Sequence, residues 1–196
     1  MEKKYKLTEE SINYYGKKLY RIEALKDFSD IKKGDKGGYV ESENNLSQEE
    51  NCWIYDNAQV FGKAVIYDDA KVYDYVRVYG RAYICDNAKV YGNAKIRGNS
   101  IIHGNALIYG NAKIYGNTEI KSDAKIENNT DYIVFKNWWS SGRYFTWTRS
   151  NNMWKVGCFY GTGEELIAKA YKDSELSGKE YERVVKYVES ILQDSK

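Results

Sequence analysis

The chain has a single histidine, His103, and three cysteines, Cys52, Cys85 and Cys158. Histidine is the side chain best suited to general-base work near neutral pH, and a thiolate is a strong nucleophile. Any acid-base or nucleophilic chemistry therefore turns on few groups, with His103 and Cys85 the weak catalytic candidates. There is no glycine-rich phosphate loop of the P-loop or Rossmann type, so no nucleotide cofactor is expected. Four of the five tryptophans fall late: Trp138, Trp139, Trp147 and Trp154, near Arg143 and Arg149. Most such rings belong to a core. The alternative is a recognition surface of Trp138, Trp139, Trp147, Arg143 and Arg149.

The elements that carry these groups are set by a repeat. Counted in sixes from Cys52, one position is small: Cys52, Ala58, Ala64, Ala70, Val76, Ala82, Ala88, Ala94, Ser100, Ala106, Ala112, Thr118, Ala124 and Thr130. Two residues later stands Ile or Val every time, from Ile54 to Ile126. A turn former, mostly Gly or Asp, follows after two more, then commonly Asn or Asp, as at Gly92-Asn93 and Asp86-Asn87. Ile and Val suit short pleated strands, and period-2 alternation points the small and the aliphatic residue to one side. Gly, Asn and Asp tolerate the positive φ of a sharp corner. One hexad cannot bury its own apolar face, so hexads must stack.

Segments such as Val90-Tyr91-Gly92-Asn93-Ala94 and Ile108-Tyr109-Gly110-Asn111-Ala112 resemble the hexapeptide-repeat left-handed β-helix family over residues 52–130. The resemblance implies a single-stranded, left-handed parallel coil of triangular section, with three hexads per turn, so that residues 18 apart stack. Many family members are trimeric acyltransferases that use a histidine base. The array, with the lead-in Leu19-Tyr20-Arg21-Ile22-Glu23-Ala24-Leu25 and Lys33-Gly34-Asp35-Lys36-Gly37-Gly38-Tyr39, looks more like uncharacterised proteins of Firmicutes and their phages.

On that 18-residue turn the outward residues sort into three faces. The first carries a tyrosine ladder: Tyr55, Tyr73, Tyr91 and Tyr109. The second is basic and aromatic: Gln59, Phe61, Arg77, Tyr79, Lys95, Arg97, Lys113 and Tyr115. Of these, Arg77, Tyr79, Lys95, Arg97, Lys113 and Tyr115 form a candidate site for an anionic partner, either an acidic protein surface or a nucleotide or nucleic acid. The third face carries Val65, Tyr67, Tyr83, Cys85, Ile101 and His103, apolar enough to expect a homo-oligomer interface there, and then turns polar at Glu119 and Lys121. His103 stacks on Cys85, but no acid stands outward at Tyr67 or Lys121 to complete a catalytic set, and two ligands fall short of a zinc site. No metal is expected.

The flanks read as caps, since an open coil end exposes strand edges. Residues 1–51 offer a hairpin, Tyr5 to Tyr15 and Lys18 to Leu25 around Gly16-Lys17, and Gly34 to Val40 leads into the coil, with the repeat phase visible at Gly38 and Val40. Residues 131–196 read as a small α+β domain. Strands are expected over Tyr132 to Lys136, Arg143 to Arg149 and Met153 to Tyr160. Two helices follow, with capping boxes at Thr162-Gly163-Glu164-Glu165 and Ser177-Gly178-Lys179-Glu180. The last helix carries Tyr181, Val184, Val185, Val188, Ile191 and Leu192 on one face.

No apolar run is long enough to cross a membrane, and Met1-Glu2-Lys3-Lys4 opens polar sequence, so a cytoplasmic protein with reduced thiols is expected (the host cytoplasm if it is phage-encoded). A net charge of +2 does not by itself imply nucleic acid. The expected function is a non-enzymatic binding protein that interferes with a host defence process. A divergent acyltransferase and a structural subunit of a larger assembly are the alternatives.

Overall fold

A computed structural model describes residues 2–193; Met1 and positions 194–196, the outer ends of the two flanks, lie outside the described residues. The chain runs from a hairpin, β1 (Tyr5–Tyr14) and β2 (Lys17–Ala24), through β3 (Lys36–Val40) into a coil. There, two-residue strands recur every six residues from β4 (Trp53–Ile54) to β16 (Lys125–Ile126). It ends in four antiparallel strands, β17 (Tyr132–Lys136), β18 (Tyr144–Thr148), β19 (Met153–Val156) and β20 (Phe159–Gly161), and two helices, α1 (Gly163–Asp173) and α2 (Glu175–Gln193).

The coil has three parallel sheets. Trp53–Ile54, Lys71–Val72, Lys89–Val90, Leu107–Ile108 and Lys125–Ile126 make the first. Gln59–Val60, Arg77–Val78, Lys95–Ile96 and Lys113–Ile114 stack on β3 in the second. Val65–Ile66, Tyr83–Ile84, Ile101–Ile102 and Glu119–Ile120 make the third. Partners within the coil are 18 residues apart throughout, as in Lys95↔Arg77 and Ile102↔Ile84. The inward small and aliphatic residues, from Cys52 to Ile126, are fully buried. Each Ile or Val among them contributes about 1.5–3 kcal/mol on burial. The two polar members of the small column are satisfied locally: Ser100 Oγ donates to Arg97 O at 2.7 Å and Thr118 Oγ1 to Tyr115 O at 2.6 Å.

Corners adopt positive φ at glycines, at Ser122 and at Asp56, Asp68, Asp74 and Asp86. Aspartate brings something glycine cannot. Its carboxylate reaches the next turn and accepts a backbone N–H there, from Asp74 (3.1 Å), Asp86 (3.2 Å), Gly92 (2.7 Å) and Gly104 (2.8 Å) respectively.

Several boundaries move from the sequence expectation. The hairpin turns at Tyr15-Gly16, so its second strand starts at Lys17. Val40 pairs with Val60 and Leu46 bridges Ile66, each 20 residues away, so two extra residues separate the lead-in from the strict repeat. Thr130 does not continue the small column: it sits exposed in a 3-10 turn, Asn129–Asp131. Buried Tyr132 closes the coil instead, donating from its hydroxyl to Lys113 O at 2.8 Å. The segment Met153 to Tyr160 is two strands with a turn at Gly157. Thr162 caps α1 as expected, with Glu165 closing the box. Ser177 does not cap α2, which already begins at Glu175. Ser174 ends α1, and its Oγ accepts from Ser177 N at 3.1 Å.

Both flanks are welded to the coil. At the N-terminal end buried Lys4 donates to Glu49 O (2.8 Å) and Cys52 O (3.0 Å), and Tyr5 OH donates to Leu46 O (2.8 Å). Trp53, at an outward strand position, is covered by Tyr5 and Phe28 and is only 1% exposed. At the other end Glu119 N donates to Thr146 Oγ1 (3.2 Å), Lys125 N to Ser150 Oγ (2.7 Å), and Lys155 pairs with Glu119 (3.1 Å). Among the described residues no helix is long and apolar enough to cross a membrane. All three cysteines are free.

Candidate functional site

The basic column stands on the second sheet, and the structure divides it in two. Because β2 pairs with β3, the hairpin extends that same sheet to seven strands, and its tip curls over the upper part of the face. Leu19, Tyr39 and Phe61 are buried there with Ile12, Tyr14 and Tyr79 packed around them. Phe61 and Tyr79 stack with centroids 5.0 Å apart. Arg77 is consumed by this arrangement. It donates to Tyr14 OH, with its guanidinium over the Tyr14 ring at 5.4 Å. Arg77 is thus not the free cation that its place in the column suggested.

Below the hairpin the face is open. Lys95 lies in register between Arg77 and Lys113. Tyr79, Lys95, Arg97, Lys113, Ile114 and Tyr115 line a cavity of about 180 Å³ with no acidic side chain in its wall. Arg97 lies over the Tyr115 ring at 5.6 Å, and Tyr115 is 51% exposed. Among the described residues no carboxylate lies within ion-pair distance of Lys95, Arg97 or Lys113. The contrast with the first face is direct. There Lys71 pairs with Asp30 at 2.5 Å, and Tyr55 OH donates to the same carboxylate. The tyrosine ladder is formed in two stacked pairs, Tyr55–Tyr73 at 4.3 Å and Tyr91–Tyr109 at 5.3 Å.

On the third face Tyr83 and Ile101 remain 42% and 37% exposed, while Cys85 is buried. The foot of the face is met by the C-terminal sheet through Glu119, with a cavity of about 270 Å³ between Ile101, Glu119, Arg143, Tyr144, Thr146 and Lys155. His103 is not as isolated as the strand columns suggested. Its Nε2 lies 3.0 Å from Glu119 Oε1 and its Nδ1 3.7 Å from Asp86 Oδ2. Neither acid is in the outward column at positions 67 or 121. Asp86 comes from a corner and Glu119 from the neighbouring strand. Burial alone would raise the Glu119 carboxyl, but hydrogen bonds from His103 and Lys155 outweigh it and leave it below the usual range.

In the C-terminal unit Trp147 and Trp154 are buried in a core with Phe145, Val156, Leu166, Val185 and Val188. Trp147 therefore cannot present a recognition surface; its Nε1 donates to Asn152 at 2.8 Å. Trp139 is half-buried against Phe145 and Tyr181, whereas Trp138 is 82% exposed. Arg143 and Arg149 are exposed. Arg143 also lines a second cavity, of about 280 Å³, with Cys158, Phe159, Leu166, Lys169 and Tyr181.

No protein-family profile matches the sequence. The chain is similar to part of the uncharacterized acetyltransferase YdcK of Escherichia coli (strain K12). The two are 44% identical over 62 residues, which is 28% of this chain and 19% of that protein. The matched stretch is thus a small part of the relative's length.

Proposed function

We propose that this protein is a non-enzymatic binding protein that receives an anionic partner on the lower half of its second face. The observation that carries the reading is the set Lys95, Arg97 and Lys113, unpaired and beside Tyr79 and Tyr115 in one shallow cavity. A rigid coil orders the backbone beneath these cations beforehand, so a complementary anion binds without that ordering cost. Cations beside aromatic faces suit an acidic protein surface or phosphates beside bases.

The test uses two probes, polyglutamate and a single-stranded oligonucleotide, each at low and at high salt. Binding that weakens with salt, and falls more than tenfold in a Lys95→Glu, Arg97→Glu, Lys113→Glu variant, supports the reading, and the probe preferred names the partner class. Failure of both probes, or unchanged affinity in the variant, overturns it. The narrower reading, interference with a host defence process by a phage-encoded protein, rests on the resemblance of the array and lead-in to Firmicutes phage proteins. Exposed Tyr83 and Ile101 favour self-association through the third face. Light scattering on the wild type and on a Tyr83→Glu, Ile101→Glu variant tests it, and a wild type that stays monomeric at high concentration rejects it.

Acyl transfer is a second reading, favoured by the similarity to the acetyltransferase and by a histidine held between two carboxylates. Against it, the His103 side chain is only 17% exposed and lines none of the cavities described above. Acetyl transfer from a thioester donor that disappears in His103→Ala would favour this reading over the first.

A further inference from the structure

We propose that the anionic partner of the second face is a nucleoside 5′-diphosphate, its phosphates on Lys95, Arg97 and Lys113 and its base beside Tyr115 in a neighbouring cavity. This rests on the reading of the basic cavity given above and adds what the ligand carries besides charge. A further cavity, of about 290 Å³, is lined by Tyr115, Thr118, Asn129, Tyr132, Ile133 and Val134. Tyr115 is common to both cavities. The basic cavity holds three cations, whereas the lining of its neighbour is uncharged at neutral pH and partly aliphatic. A ligand that fills both therefore has an anionic end and a neutral, weakly polar end, joined past one aromatic ring.

The Tyr115 ring divides the two. Arg97 stands one turn before Tyr115 in the same outward column and lies over the ring at 5.6 Å. Ile133 and Val134 belong to β17, which leaves the coil after its last turn, so they border the ring from the other end. The backbone under the ring is fixed beforehand, because Thr118 Oγ1 donates to Tyr115 O at 2.6 Å. A base stacks on such a ring whatever its identity, since every base has a π-face. Asn129 supplies a polar edge. Its Oδ1 accepts Lys113 N at 2.9 Å, which leaves the amide NH2 to donate to a base carbonyl or ring nitrogen.

The geometry favours this ligand over the two macromolecules. An acidic protein surface offers carboxylates but no flat ring for the uncharged cavity. A nucleic-acid strand needs a continuous track, yet the hairpin packs against Tyr79 at one end of the open face and β17 borders Tyr115 at the other. Room is left for a single base. A nucleoside diphosphate also bears about three negative charges near neutral pH, against the three unpaired cations. The grip comes from side chains presented by successive turns rather than from the backbone amides of a glycine-rich loop, so no local motif announces it.

Isothermal titration calorimetry on the whole chain compares inorganic pyrophosphate with ADP, GDP, CDP and UDP, beside polyglutamate and a single-stranded oligonucleotide. At least one nucleoside diphosphate should bind, one per chain, about tenfold or more tighter than pyrophosphate, which fills the basic cavity alone. Tyr115→Ala, at an exposed side chain, should bring it down to the level of pyrophosphate, and Tyr115→Phe should keep the difference. The Lys95→Glu, Arg97→Glu, Lys113→Glu variant should lose both ligands. Pyrophosphate that binds as tightly as every nucleoside diphosphate, or a difference that survives Tyr115→Ala, overturns this inference and leaves the anionic reading of the face standing. Binding of polyglutamate or the oligonucleotide without binding of any diphosphate overturns it too and gives the site to a macromolecule. Binding of none of the probes overturns both.

Discussion

Gly62, Gly80, Gly98 and Gly116 occupy one column of corners, 18 residues apart, with φ of +70°, +79°, +81° and +78°. Their local sequences are alike, yet alanine at each would meet different surroundings. At Gly116 an added Cβ finds nothing within 4 Å, and at Gly62 it rests at 3.4 Å from Gly80, an ordinary contact. At Gly98 it comes to 2.8 Å from both the N and the O of Gly116, which are backbone atoms that cannot swing away. Placing alanine in the left-handed region costs about 1–2 kcal/mol, partly offset by about 0.4–1 kcal/mol from a less flexible unfolded chain. Gly62→Ala and Gly116→Ala should therefore each lose about 1 kcal/mol. Gly98→Ala adds an overpacking cost of about 1–3 kcal/mol, for a total of about 2–4 kcal/mol. Thermal unfolding followed by circular dichroism reads the difference at about 2–4 °C per kcal/mol for a chain of this size. The midpoint should fall by a few degrees in Gly62→Ala and by roughly 5–15 °C in Gly98→Ala. Equal losses at Gly62 and Gly98 would refute the stacked-corner geometry.

Two further outcomes follow from the same coil. Ile84 is fully buried between Ile66 and Ile102, so Ile84→Asp places an unpaired charge among stacked strands and should cost more than about 4 kcal/mol; a variant that keeps the wild-type melting temperature would contradict the inward assignment. The Asp30 carboxyl is held at about 2, chiefly by its hydrogen bond from Lys71. Its folded value lies below its unfolded one, so its contribution is present above about pH 4 and is lost as pH falls toward 2. The side chain is 57% exposed, so solvent screening limits the effect to about 0.5–1 kcal/mol. Asp30→Asn should show that loss in denaturant midpoints at pH 6 and match the wild type near pH 2, and an equal loss at both would remove the ionic explanation.

The six-residue period, Ile or Val at every inward aliphatic place and Gly or Asp at most corners were all legible in the sequence, and with them the parallel coil. These features are legible because each hexad contacts copies of itself at a fixed separation, so the pattern repeats wherever the contact does. The faces followed once a turn was taken as 18 residues, as did the capping box at Thr162. Contacts between unlike parts carry no such signature. Trp53 alternates outward yet is buried, because Tyr5 and Phe28 from the lead-in fold over it. Arg77 shares a column with Lys95 and Lys113, yet it alone meets Tyr14, 63 residues earlier, because the hairpin joins that sheet and no other. Of the two carboxylates around His103, Glu119 stood on the third face already in the sequence, whereas Asp86 was invisible to a reading of strand columns. One comes from a corner and the other from a strand 16 positions on, and which rotamers bring them together is decided only when the turns are stacked. Local spacing fixes what each residue does for its own hexad; which hexads are left uncovered depends on where two non-repeating ends come to rest.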